Sequence, residues 1–223
     1  MIRILESFEQ VGKAIITLQK RGCHLHSTPQ KNWDMAQILE ILDDEKPNCI
    51  LDMGCGGWHV LRLCRDHGVR NIFGVDLRLR LIDSFRPYLY AIKSKSTKLP
   101  FRVIRGDLTK TSFPNNSFDV ITCLSVIEHG VSVESFLKEA SRLLRHNGTL
   151  YVSTDYWEPK ILMENSLRPF GLNWKIFSKK EIKNLVDTAK KYNLRMEDES
   201  IPPKKRKGCS LAWDRLHIYF TNF

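Results

Sequence analysis

Cys49-Ile-Leu-Asp-Met-Gly-Cys-Gly-Gly57 is a short apolar run that stops in glycines. A run of that length closed by a turn signal predicts a buried strand followed by a tight turn. The glycines let backbone approach a ligand closely and leave N–H groups to meet it. The flanks repeat the alternation. Upstream, Asp34 is placed to cap an amphipathic helix carrying Met35, Ile38, Leu39 and Leu42, which must end before Pro47. Downstream, 60–67 reads as a helix stopped by Gly68, and 71–76 as a second strand.

Further out the pattern continues. A helix is expected over 79–93, with Pro87 as its boundary or kink. Residues 101–105 form a third strand. The unbroken apolar run 118–124 reads as a central fourth strand. Phe136, Leu137, Ala140, Leu143 and Leu144 share one face of a helix over 133–144, which Asn147-Gly148 ends before a fifth strand at 149–154. Ser178 and Glu181 make a capping box for a helix bearing Ile182, Leu185, Val186 and Ala189. Two closing strands, 194–200 and 217–223, flank a loop containing PPKKRKG.

Repeated strand–helix units require crossovers that cover a sheet on both faces. The expected fold class is therefore α/β: a Rossmann-like doubly wound sheet, mostly parallel with an antiparallel last strand, and helices on both faces. A single domain is expected over 34–223, preceded by a helical extension and lid over 1–33.

Composition narrows the class. The chain has 223 residues, 42% hydrophobic and 27% charged, which fits a globular chain with a sizeable core. No stretch approaches about 18 unbroken apolar residues, so no membrane span is expected. Glu6, Glu9 and Lys13 interrupt the first twenty residues, unlike a secretory signal. The net charge of +10 is uneven: residues 61–110 hold twelve Lys and Arg against four Asp. That balance attracts anions without choosing among nucleic acid, phosphorylated metabolites and membrane surfaces. The six cysteines show no CxxC pair and no zinc-like spacing, so no metal is expected and they read as reduced thiols of a cytoplasmic protein.

Ligands of such sheets bind at the carboxyl ends of the strands. Asp52 lies two residues before Gly54, where an acid suits a ligand carrying an amine and a sulfonium. A dinucleotide turn, G-x-G-x-x-G, fails because the last glycine falls on His59. Asp76 ends the second strand, where a carboxylate can accept both ribose hydroxyls of an adenosine. Asp107, after the third strand, can meet an adenine amino group.

These stretches in this order are ILDMGCGG, FGVDL, RGDL, SFPNNSFDVITCLSVIEH and FLKEASRLLRHNGTLYVST. Together they resemble class I S-adenosylmethionine-dependent methyltransferases of the broad small-molecule type, over about residues 48–154. The resemblance implies that Asp52, Gly54, Cys55 and Gly56 form the turn around the methionine part. It implies that Asp76 holds the ribose with Leu77 against the adenine. Asp107 and Leu108 would contact the adenine, and Cys123 and Leu124 would floor the site. Two positions depart from the family pattern. Trp58 stands at the third glycine position, so the turn must be wider or differently shaped. Arg145-His-Asn-Gly148 replaces Lys-Pro-Gly-Gly and keeps the turn character.

Outside that core, Lys31-Asn-Trp33-Asp34 could close over the cofactor, with Trp33 read as a packing residue. Asp155-Tyr156-Trp157 points at the acceptor side, and the loop 158–175, with Phe170 and Trp174, forms a lid or pocket wall. STDYWEPKI, at 153–161, resembles methyltransferases that accompany polysaccharide and glycan assembly. The expected activity is methyl transfer from S-adenosylmethionine to a small-molecule or glycan-like acceptor at oxygen, with His129 as proton acceptor. A nucleic-acid or protein methyltransferase is the alternative that the charge favours. No nucleic-acid module and no Asn-Pro-Pro-Tyr or Asp-Pro-Pro-Tyr motif supports it. A non-catalytic S-adenosylmethionine-binding protein is a further alternative. PKKRK at 203–207 reads as a solvated loop ahead of a localisation signal or phosphate patch.

Overall fold

A computed structural model describes residues 1–87, 89, 100–164, 166–196, 198 and 214–223. The PKKRK loop and most of the 88–99 stretch lie outside the described residues. The strands are β1 (Ile2–Ile4), β2 (Cys49–Met53), β3 (Asn71–Asp76), β4 (Arg102–Arg105), β5 (Phe118–Leu124), β6 (Leu144–Tyr156), β7 (Leu194–Arg195) and β8 (Asp214–Asn222). The α-helices among the described residues are α1 (Phe8–Lys20), α2 (Lys31–Glu45), α3 (His59–His67), α4 (Val133–Leu143) and α5 (Lys179–Lys190).

The strands form one sheet in the order β1-β8-β6-β5-β2-β3-β4, with β7 also pairing β8. Pairs β2–β3, β3–β4, β2–β5 and β5–β6 are parallel. Among the described strands β8 alone runs backwards, antiparallel to β6, β1 and β7. The order reverses between β2 and β5, and that switch point places the ligand crevice.

Alternation along the strands sends side chains to two separate cores. Ile50 joins Val11, Leu18, Ile38, Leu42 and Val60 on the α1–α3 side. Leu51 and Met53 join Phe136, Leu137, Leu185 and Val186 on the α4–α5 side. The helices end where local chemistry directs. Ser178 and Glu181 form the expected capping box of α5. Gly68 caps α3 at φ 104°.

Several expectations need correcting. Helix α2 starts at Lys31, its N-cap is Gln30, and Asp34 lies buried inside its first turn instead of capping it. The boundary expected at 33/34 thus falls within a helix. The first residues add a strand as well as a helix. A 3-10 turn at Leu81–Ser84 stands at the start of the segment expected to be helical from 79. Strand β6 begins at Leu144, five residues early, through an irregular register with β5.

Candidate active site

The carboxyl ends of β2, β3 and β5 open on a cavity of about 770 Å³. Asp52 closes β2. It is 3% exposed and accepts a hydrogen bond from Thr122 Oγ1 at 2.8 Å. Burial pushes its carboxyl up to about 7, against the Thr122 bond, with Asp76 adding to the rise and Lys31 opposing it. A cation placed beside Asp52 would therefore find a carboxylate with few other partners.

The turn after β2 is shaped by close approach. Gly54 sits at φ 85°, and its N–H donates to the Val75 carbonyl at 2.7 Å. A Cβ there would stand 2.3 Å from a Val126 methyl. Cys55 is 3% exposed, and burial pushes its thiol up, so the thiol stays protonated. Trp58 takes the glycine-like backbone that the family pattern fills with glycine, at φ 62°. That conformation costs a side-chain-bearing residue about 1–2 kcal/mol. A 2.7 Å bond from its N–H to the Cys55 carbonyl and an edge contact with Phe101 at 5.6 Å offset it.

Asp76 is fixed at both oxygens. Gly56 N–H donates to Oδ2 at 3.1 Å, and Arg78 N–H to Oδ1 at 2.8 Å. Asp107 is exposed, and its Oδ1 accepts from the Thr109 N–H at 2.8 Å and hydroxyl at 2.7 Å. Leu77, Leu108 and Leu124 supply apolar wall. Cys123 is the exception among the expected site residues. It is fully buried in the α4–α5 core, because strand alternation gives the cavity to Leu124 alone.

His129 follows β5 and lines the cavity. Its backbone N–H bonds the Val126 carbonyl at 2.9 Å, and its ring meets Phe170 edge-on at 5.4 Å. Nδ1 is buried with no hydrogen-bond partner among the described residues. Burial, then the Lys31 ammonium, holds its pKa below the usual imidazole value. Glu128 does not line the cavity: it is fully buried and accepts from Thr154 Oγ1 at 3.2 Å.

The acceptor-side expectations divide. Phe170 and Leu172 line the cavity, as a wall formed by the 158–175 loop. Asp155, Tyr156 and Trp157 do not. Asp155 is 8% exposed and accepts from Trp174 Nε1 at 3.2 Å, while Tyr156 belongs to the core. Trp33 stacks on His217 at 3.8 Å, a packing role. The reading of the sequence missed His26 and His59 and placed Lys31 only in a closing segment. All three line the cavity. The failed dinucleotide spacing at His59 was the one signal near them.

Residues 51–152 match the methyltransferase domain family. A ubiquinone biosynthesis O-methyltransferase from Leptothrix cholodnii is 29% identical over 140 residues, 63% of this chain and 56% of that protein. One of the same name from Pelagibacter ubique is 28% identical over 158 residues, 66% of this chain and 62% of that protein. The chain thus spans about six tenths of the length of these relatives. A solved S-adenosylmethionine-dependent methyltransferase from Clostridium acetobutylicum superposes with a TM-score of 0.59 at 14% identity, over 97% of this chain and 99% of that one, a likeness of fold. The 51–152 stretch thus carries the likeness to methyltransferases, and the fold is that of solved S-adenosylmethionine-dependent methyltransferases. S-adenosylmethionine is the cofactor that such a domain takes.

Proposed function

We propose that the protein transfers a methyl group from S-adenosylmethionine to a hydroxyl of a small-molecule acceptor. The observation that carries this reading is the meeting of Asp52, Asp76, Asp107 and His129 on one cavity. The relatives' names, both O-methyltransferases, support oxygen as the methylated atom.

The residues present fit the cofactor. A buried carboxylate with a raised pKa, Asp52, suits a ligand ammonium. Gly54, Cys55 and Gly56 would border the methionine part, Asp76 would take the ribose hydroxyls, and Leu77, Asp107 and Leu108 would flank the adenine. Leu124 would floor the site. When bound, the cofactor supplies an electrophilic methyl on a sulfonium whose leaving group is a neutral thioether. The chain's own work is alignment and proton removal. His129, held neutral by burial and Lys31, accepts the hydroxyl proton as the oxygen bonds to carbon. Phe170 and Leu172 offer an apolar face to an acceptor ring, aromatic or sugar. The segment before residue 34 gives His26 and Lys31 to the cavity, which supports its expected covering role.

Calorimetric titration with S-adenosylmethionine, followed by assay of S-adenosylhomocysteine release with hydroxylated aromatic and sugar acceptors, tests the reading. Saturable binding and acceptor-dependent release are expected. No binding would refute it.

A further inference from the structure

Large apolar side chains stand exposed in two segments that meet at the mouth of the cavity. The first follows β3, where Ile82 and Phe85 are 62% and 66% exposed. The second is the 158–175 loop, where Leu162 is 85% exposed and Phe170 stands out as well. The Arg78 guanidinium lies 5.0 Å from the centre of the Phe170 ring and joins the two segments. Leu77, Arg78 and Phe170 also line the cavity, so this junction is part of its rim.

The first segment is built inside out. The Phe85 N–H donates to the Ile82 carbonyl at 3.1 Å, and the Leu89 N–H to the Phe85 carbonyl at 3.2 Å. Ile82, Phe85 and Leu89 thus recur at helical steps along one side, and all three are exposed. An amphipathic segment normally turns such a side to the core. Here the acid is the inward member. Asp83 is 8% exposed and accepts from the Arg80 N–H at 2.9 Å and from Arg86 Nη1 at 3.2 Å. Ile82 and Phe85 are left outside with the exposed arginines. An apolar patch left in water and rimmed by polar groups marks a binding surface.

The charge around these side chains chooses the occupant. Across 77–89 and 162–172 the chain carries Arg78, Arg80, Arg86 and Arg168 against Asp83 and Glu164. All four arginines are exposed. A protein partner would need a closely fitted face spanning both segments. A bilayer needs no such fit, because acyl chains close around separate apolar tips while anionic headgroups meet the arginines. Nucleic acid would answer the arginines and leave Ile82, Phe85 and Leu162 in water.

We infer that Ile82, Phe85 and Leu162 enter an anionic lipid bilayer at headgroup depth, with Arg78, Arg80 and Arg86 against its phosphates. The mouth of the cavity then opens at the lipid surface. This goes beyond the methyl-transfer reading and stands without it.

Co-sedimentation with vesicles tests it. Binding is expected to vesicles of equal parts phosphatidylglycerol and phosphatidylcholine, and about tenfold weaker binding or less to phosphatidylcholine alone. Salt raised from about 0.1 M to about 1 M should weaken the binding without abolishing it, because the apolar share is not screened. The double variant Ile82→Ser, Phe85→Ser should bind the mixed vesicles about tenfold more weakly, since both side chains lose their lipid contact. Leu162→Ser, in the other segment, should weaken binding in the same direction. Ile16→Ser, which removes an exposed side chain on α1, should bind as the native chain does. A native urea unfolding midpoint shows that each variant is folded. Absence of binding to the mixed vesicles would overturn the inference. So would native binding by the double variant and by Leu162→Ser, or binding that vanishes at the higher salt, either of which would reduce the attraction to charge alone. Self-association of the native chain that the double variant abolishes would give the surface to a second copy and overturn the inference as well.

Discussion

His217 and His129 are both shielded from water, and the molecule treats them in opposite ways. His217 on β8 is fully buried. Its Nε2 bonds the Asp34 carboxylate, Trp33 stacks on it at 3.8 Å, and Tyr151 meets it edge-on at 5.1 Å. His129 is half-buried, and the one charge that moves its pKa is the Lys31 ammonium. A carboxylate partner fixes a ring in one pose. Cationic company leaves an imidazole its lone pair at neutral pH. Burial and the charge of the neighbours together separate the histidine that holds the fold from the one that lines the cavity.

The sharpest way to break this contrast is to remove each ring. His129→Ala should lower turnover by about 10²–10⁴-fold, the usual range for a general base. Its unfolding midpoint and S-adenosylmethionine affinity should stay near native. The native rate, with cofactor saturating, should rise with pH and level off below about 6.5, because the neutral imidazole is the active form and its pKa is lowered. Native turnover in the variant would return His129 to the structural group. Asp34→Ala should do the reverse. Stranding His217 in the core should cost about 3–5 kcal/mol in urea unfolding. Turnover per folded molecule should be unchanged.

The carboxylates extend the comparison at smaller scale. Asp76→Ala should weaken S-adenosylmethionine binding by about 1.5–3 kcal/mol, read by calorimetry. Equal affinity would remove Asp76 from the site. Asp52 predicts a linked proton. Its carboxyl sits at about 7, and a bound cation favours the ionised form. Affinity should therefore fall about tenfold from pH 8 to pH 6, with proton release visible as buffer-dependent enthalpy near pH 6. Asp52→Asn should abolish that slope. The least effect is expected from nucleic acid, with only weak association that is lost near physiological salt. Sub-micromolar binding to one RNA or DNA at that salt would reopen the choice of substrate.

The central strands were legible because each is an apolar run bounded by glycine, proline or a charge, and their order placed Asp52, Asp76 and Asp107 at strand ends. Ser178 and Gly68 were legible as local chemistry. What escaped needs tertiary information. Asp34 has the composition of a cap, and only its partner 183 residues away explains its burial. Asp155 ends a strand as Asp52 does, yet Trp174 takes its carboxylate away from the cavity. Cys123 and Leu124 differ only in the phase of the pleat. His26 and Lys31 reach the cavity because the loop pinned by Asn32 folds back over the sheet, which no periodicity announces. Strand β1 has three residues, too few for a pattern.

The placement of β8 between β6 and β1 has a consequence for synthesis. Among the described strands Ile2–Ile4 is made before the others, and it pairs with β8, which is made after them. Until that strand arrives, β6 offers a long unpaired row of N–H and carbonyl groups whose side chains, Leu150 and Val152 among them, belong in a core. Such an edge is a template for another chain. A nascent or prematurely ended copy lacking 214–222 is thus more than inactive: it carries an adhesive border, and its first hazard is joining its neighbours.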